Sequence, residues 1–157
     1  KLSQDRSNEI DAWKHALSYL NKKKILFDIF VSLPATSPIR FKKDVERCIK
    51  KIKNFDYVLT YCKSNKNPWF NMIIKSSNEQ LRVVNKSNKP IFRRQDAPEV
   101  FNMSTNCFVS TPEYISNTHN LLSGKIGGIE ISEYAAIDID NKLDFDFAEF
   151  LYKRSNE

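Results

Sequence analysis

Two aspartates, Asp138 and Asp140, stand one residue apart, alternating with isoleucines, in the stretch YAAIDIDNKLDFDFAEF, from Tyr134 to Phe150. On a strand, side chains two apart share a face. Ile137 and Ile139 could then enter a core while Asp138 and Asp140 project together on the other side. Paired carboxylates repel unless something positive lies between them. A divalent metal is one answer, since hard cations choose oxygen ligands; plain solvation at a strand end is the other. A second chemical group is Arg93-Arg94-Gln95. Arginine can hold a carboxylate or phosphate through two parallel hydrogen bonds, and glutamine can add neutral ones to hydroxyls. The alternative for the arginines is ordinary surface charge.

These groups need a scaffold, and 157 residues are enough for one domain with a real core. Apolar residues make up 41% and charged residues 28%, as in a globular protein. No apolar stretch approaches bilayer-spanning length, and the N-terminus carries no signal-peptide pattern. The three cysteines, Cys48, Cys62 and Cys107, are scattered and odd in number, which suggests reduced thiols in a cytoplasmic protein. His15 and His119 have no partner at metal-site spacing, so a zinc site is not expected. The net charge of +6 is unevenly spread. IRFKKDVERCIKKIKNF holds seven basic residues between Arg40 and Lys53, whereas Asp138, Asp140, Asp144, Asp146 and Glu149 crowd the C-terminal end. Such a basic helix is read as the solvated face of an amphipathic element. Nucleic-acid binding by Lys42–Lys53 is the alternative of a different class, although the aromatic interleaving of a single-strand platform is missing.

SNEIDAWKHALSYLNKKK has the marks of a helix: Ser7 or Asn8 can cap it, and Ile10, Trp13, Leu17 and Leu20 recur at helical spacing. Ile25–Leu33, ILFDIFVSL, reads as a buried strand, ended by PATSP, whose Pro34 and Pro38 cannot continue a ladder. Phe41, Val45, Ile49 and Ile52 mark the core face of a second helix, and DYVLTYC a second buried strand. The alternation argues for an α/β fold with a parallel sheet covered by helices. Ligands in such sheets bind outside the carboxyl ends of strands, where the PATSP loop lies. Between Lys63 and Asn102 the pattern changes to two short strands around a polar turn at Ser76–Asn78, then an irregular stretch. Trp69 and Phe70 there are read as hairpin or interface packing. MSTNCFVS, IGGIEIS and AIDID read as further extended segments, and TPEYISNTHNLL as a short helix with Pro112 just after its cap. A final helix near Asn141 should turn Leu143, Phe147, Phe150 and Leu151 inward, with Asp144 in its first turn. The expected division is thus 1–62 and 103–157 as an α/β core and 63–102 as an excursion. All three glycines fall within Gly124–Gly128, so neither common phosphate-binding glycine loop can be written.

Three stretches taken together, VSLPATSPIR, RRQDAPEVF and AIDIDNKLDFDFAEFL, resemble the cytidylyltransferases that activate acidic nine-carbon sugars, the CMP-sialic acid synthetases and their legionaminic and pseudaminic acid relatives. SQDRSNEIDAWKHAL is similar to the segment leading into that family's second helix, and Ser7 within it is a candidate cofactor-side contact. The resemblance implies a three-layer, Rossmann-like mixed sheet of the nucleotide-diphospho-sugar transferase type with a β-hairpin dimerisation excursion. It implies transfer of CMP from CTP to a nonulosonic acid, with pyrophosphate released and Mg2+ required. Asp138 and Asp140 match the family's metal-binding, catalytic aspartates. Arg93, Arg94 and Gln95 match the stretch beside its sugar, and the turn carrying Pro34, Ser37 and Arg40 matches the loop lining its nucleotide and sugar cleft. Serine and proline are also common turn residues, so Ser37 is read first as a turn former. A homodimer through 63–102 is implied.

The sequence departs from that family in three places. Pro34 stands where glutamine usually precedes the PTSP tetrapeptide, Ala35 replaces its first proline, and STNCFVS takes the place of an NGAIYI-like strand. These changes touch the sugar side and favour a legionaminate-like substrate over N-acetylneuraminate. The family's opening strand, its basic glycine-containing triphosphate loop and a following Arg-Pro pair have no counterpart from Lys1 onward. The expectation is a C-terminal portion of a longer enzyme, inactive alone for want of the loop that neutralises the leaving pyrophosphate. A degenerate partner subunit is the further alternative.

Overall fold

In the computed structural model, which describes residues 8–155, the Asn8 side chain accepts the Ile10 N–H and starts helix α1, Glu9–Lys22. Ile10, Trp13 and Leu17 are buried along one stripe. Next come β1 (Phe30–Ser32), α2 (Lys42–Lys51), β2 (Tyr57–Lys63), β3 (Ile73–Lys75), β4 (Leu81–Val83), β5 (Phe101–Ser110), α3 (Pro112–Asn117), β6 (Ile126–Glu130) and α4 (Lys142–Ser155). The chain divides into two compact units, one formed by Lys1–Tyr61 with Met103–Glu157, the other by Cys62–Asn102.

The main sheet has the order β1-β5-β2-β6. β1 pairs antiparallel with β5, Phe30 opposite Ser110 and Ser32 opposite Phe108. β2 pairs parallel with β6, Tyr57 opposite Ile126 and Tyr61 opposite Glu130. The sheet is therefore mixed. The helix–strand alternation placed β1 and β2 in one sheet correctly, but β5 lies between them. Both faces are covered, because successive strand residues point opposite ways. Val58, Cys107, Val109 and Ile129 pack with Cys48 and Ile52 on the α2 side. Tyr57, Leu59 and Phe108 pack with Trp13, Leu17 and Ile115 on the α1 and α3 side. This is a three-layer α/β fold. In β6 a Cβ on Gly127 would meet the Phe55 ring at 2.8 Å, and one on Gly128 the Tyr61 ring at 2.7 Å. Glycine is required there by close approach of aromatic rings. All three cysteines are buried.

Four sequence expectations are corrected. Ile25–Leu33 is not a buried strand: only Phe30–Ser32 pair, all three half-buried, and Leu26 is 89% exposed. A continuous apolar run carries no periodicity to mark how much of it is strand. The expected core face of α2 holds in part, since Val45 and Ile49 pack against the core and Ile52 is buried, but the buried residues of the helix itself are Asp44 and Cys48. Phe41 is exposed and stacks on Tyr134, centroids 6.2 Å apart. AIDID makes no strand (the backbone N–H of Ile139 is taken by the Thr36 carbonyl at 2.9 Å). Finally, α4 buries Ala148 and half-buries Leu151, while Leu143 (76% exposed), Phe147 and Phe150 face outward. Its large apolar residues surround the axis, so no stripe singles out one face.

In the second unit β3 and β4 form an antiparallel pair with Ile73 opposite Val83 and Lys75 opposite Leu81, and every residue of both is exposed. Asn67 organises the preceding loop. Its carbonyl accepts the N–H groups of Phe70, Asn71 and Met72, and its amide donates to the Pro98 carbonyl at 2.8 Å. The stretch read as irregular holds one short 3-10 turn, Arg94–Asp96. Among the described residues, no helix is long and apolar enough to cross a membrane.

Candidate active site

The PATSP turn leaves the end of β1 and closes on itself, Ser37 N–H donating to the Pro34 carbonyl at 3.3 Å. The Ser37 side chain is 0% exposed, and its hydroxyl shares a 2.6 Å hydrogen bond with that of Thr105 on β5. Ser37 thus fixes the loop from within. Arg40 acts similarly. Its Nε donates to the Asn106 carbonyl and its Nη2 to the Pro34 carbonyl, both at 2.8 Å. A guanidinium committed to two backbone carbonyls holds the turn's shape.

The Asp138 segment lies against this turn through the Ile139–Thr36 bond. It follows a tight turn in which Ala135 and Ala136 N–H groups donate to the Ser132 carbonyl at 3.0 and 3.1 Å. Asp138 is half-buried, and its Oδ1 is buried with no hydrogen-bond partner among the described residues. Asp140 is exposed, and its N–H donates to Asp144 Oδ2 at 3.0 Å. Asp144 also accepts the Asn141 N–H, while Asn141 Oδ1 accepts the N–H groups of Leu143 and Asp144. This reciprocal arrangement is a capping box for α4, and it is the helix-start role the sequence assigned to Asp144. The two aspartates therefore sit in different environments, not side by side on a strand. A hollow of about 220 Å³ opens beside Ile139, walled by Pro38, Ile39, Phe145, Ala148 and Tyr152.

Among the described residues no group of three or more His, Cys, Asp or Glu side chains is placed to hold a metal ion. The donor set nevertheless fits magnesium. That ion keeps several waters and is commonly held by one or two carboxylates plus substrate phosphates, without an all-protein cage. A buried carboxylate oxygen with no donor is the kind of atom a cation satisfies.

Arg93, Arg94 and Gln95 belong to the second unit. Arg93 holds both oxygens of Asp96, Nε–Oδ2 3.1 Å and Nη2–Oδ1 2.9 Å. Arg94 Nη2 donates to the Ser64 carbonyl at 2.6 Å. Gln95 is exposed. The structure thus brings Pro34, Ser37, Arg40, Asp138 and Asp140 into one network of adjoining segments and leaves Arg93–Gln95 in the other unit. Ser7 lies outside the described residues. Sequence reasoning missed Asn106, a polar residue at a fully buried position of β5. The only signal was an amide inside the apolar run NCFV.

The basic α2 segment is largely spent internally. Arg47 bonds Asp44 and the Glu130 carbonyl, Lys51 the Gly128 carbonyl, and Lys42 pairs with Glu46. No observation here favours a nucleic-acid surface.

No family model matches the chain. It is 26% identical over 161 residues to the post-translational flagellin modification protein B of Campylobacter coli, covering 99% of this chain and 66% of the relative. It is 25% identical over 158 residues to the CMP-N,N'-diacetyllegionaminic acid synthase of Campylobacter jejuni subsp. jejuni serotype O:2, again 99% and 66%. The chain therefore spans just under two thirds of the length of these relatives. Among solved structures its fold is similar to 4-diphosphocytidyl-2C-methyl-D-erythritolsynthase from Anaerococcus prevotii, with a TM-score of 0.59 and 13% identity over 94% of this chain and 67% of that one. The fold is a Rossmann-like α/β fold with a mixed sheet, like that of this synthase, and the resemblance read from the three motifs is borne out: over 99% of its length the chain is similar to a CMP-N,N'-diacetyllegionaminic acid synthase.

Proposed function

We propose that this chain carries the metal and acceptor side of a cytidylyltransferase that joins CMP from CTP to a nonulosonic acid of the legionaminate type. In the proposed reaction the anomeric hydroxyl oxygen of the sugar forms a bond to the α-phosphorus, the bond from that phosphorus to the bridging oxygen of pyrophosphate breaks, and the hydroxyl proton is lost. Such chemistry is mostly positioning and charge neutralisation. Asp138 and Asp140 are the residues that would hold Mg2+, which when bound neutralises charge on the phosphate oxygens. The turn from Pro34 to Arg40 supports Asp138 through Thr36 and forms one wall of the site. The observation that carries this reading is the buried, unpartnered Oδ1 of Asp138. Arg93, Arg94 and Gln95 are assigned to the sugar's carboxylate and hydroxyls. Eight of the 25 basic residues, but only three of the 19 acidic ones, fall between Cys62 and Asn102, which suits an acidic sugar. We further propose a homodimer formed through this second unit, and a cytoplasmic location, where CTP is available.

The test is pyrophosphate release by the complete natural gene product supplied with CTP, Mg2+ and a panel of nonulosonic acids. Asp138→Asn is expected to lower turnover on the order of 10²-fold or more, the scale of losing one dominant electrostatic group, with an unchanged circular dichroism spectrum. Turnover at the native level in that variant would remove Asp138 from the mechanism.

A further inference from the structure

Asn106 lies on β5, 1% exposed, thirty-two residues before Asp138. Both donor bonds of its amide cross to other segments. Nδ2 donates to the Ile39 carbonyl at 2.8 Å, at the exit of the PATSP turn, and to the Ala135 carbonyl at 2.8 Å, three residues before Asp138. Its own carbonyl accepts Arg40 Nε, and its N–H donates to Ser104 Oγ at 3.2 Å. One buried side chain therefore joins the sheet, the loop and the segment that delivers the orphaned carboxylate. The Ile139 N–H, donating to the Thr36 carbonyl, also ties the loop to the aspartate segment.

We propose that Asn106 is the positioning residue of the Asp138 site, setting the cation affinity of that carboxylate by fixing Ala135 and Ile39 to one point on β5. This rests on the cation-binding reading of Asp138. Partners that orient a ligand without touching the ion commonly change metal affinity 10- to 100-fold when altered. Without the amide, two buried carbonyls lose their donor, and the loop and the aspartate segment lose their common anchor. A leucine at 106 would keep the volume and remove both donors.

The experiment uses Mn2+ alone as the probe, titrated into the native protein with no nucleotide or sugar, and free ion followed by electron paramagnetic resonance. Urea midpoints are measured on the same samples. Asp138→Asn sets the zero for the site. Asn106→Leu and Asn106→Ala are expected to raise the Mn2+ dissociation constant about tenfold or more. Thr60→Val is the control: Thr60 Oγ1 is equally buried and bonds β5 backbone at Ser104 and Cys107, with no bond to loop or aspartate segment among the described residues. It should lower the urea midpoint yet leave the Mn2+ constant within about twofold of native. In the native protein, the Asn106 side-chain amide resonance should shift on Mg2+ saturation while that of Asn67, in the other unit, stays still. Native Mn2+ affinity in the Asn106 variants, equal weakening in Thr60→Val, or an unmoved Asn106 resonance while Mg2+ binds, would each make Asn106 merely structural and overturn the proposal. Mn2+ binding that Asp138→Asn does not affect would instead overturn the cation reading itself, and this inference with it.

Discussion

At the scale of single residues, the chemistry-bearing side chains divide by how their bonds are spent. Asp138 keeps a buried oxygen free, whereas Arg40 and Ser37 give their polar atoms to the loop. Sequence types alone could not separate these roles, because arginine in a loop looks the same whether it faces a ligand or a carbonyl. The same bookkeeping yields a pH prediction. Tyr57 is buried between Trp13 and Phe108, and desolvation, followed by the negative charge of Glu9, pushes its hydroxyl above the ordinary value of 10.0. The folded state therefore keeps this proton after the unfolded chain has lost it, and the stability that Tyr57 contributes is full below pH 10 and falls as pH rises past the ordinary tyrosine value. Tyr57→Phe should leave the pH 7 urea midpoint nearly unchanged, a volume-conserving swap costing under about 1.5 kcal/mol. Above pH 10 its midpoint should decline less steeply than that of the native protein. Parallel declines in the two proteins would mean that Tyr57 is solvated.

At the scale of elements, the legible parts were those with a period or a cap. α1 is legible through Asn8 and the Ile10–Trp13–Leu17 stripe, α3 through Thr111 and Pro112, and β2 through its buried run. The Asp144 cap of α4 was legible too, but its buried face was not, since Phe145, Phe147, Phe150 and Tyr152 mark no single side. AIDID alternates like a strand yet forms none, because its N–H groups are claimed by Thr36 and by the Asp144 carboxylate. Local alternation predicts a strand only where a neighbouring strand offers partners. The end of α1 shows the opposite case, regular geometry with an ill-suited residue. Ile25 N–H donates to the Leu20 carbonyl and Lys24 N–H to that of Asn21, the paired bonds of a Schellman ending. Its left-handed position is filled by Lys24, φ 58°, where a side chain costs roughly 1–2 kcal/mol. Lys24→Gly should therefore stabilise the protein by about 1 kcal/mol after glycine's own entropy is offset, seen as a higher urea midpoint with an unchanged slope. A lower midpoint would show that the Lys24 side chain makes a contact outweighing the strain.

At the scale of the whole molecule, the second unit poses a balance of forces. An isolated hairpin of two three-residue strands is marginal in water, and this one exposes all of its positions. Its register sorts them. Ile73, Lys75, Leu81 and Val83 share one face, Ile74 and Arg82 the other. The first face holds three exposed apolar side chains, with Leu81 61% exposed, and it is the face we assign to the homodimer contact. The same unit carries the excess of positive charge, so pairing two copies sets like charges against each other. Apolar burial does not depend on screening, whereas this repulsion does. The dimer constant should therefore tighten as salt is raised from about 50 to about 500 mM, over which the screening length falls from more than 10 Å to about 4 Å. Sedimentation equilibrium measures this directly. Leu81→Glu should weaken association at least about tenfold, equivalent to 1.4 kcal/mol, whereas Arg82→Glu, on the opposite face and removing positive charge, should not weaken it. If Arg82→Glu disrupts the dimer and Leu81→Glu leaves it intact, the contact lies on the other face. If salt loosens the dimer, opposite charges and not apolar burial hold it together.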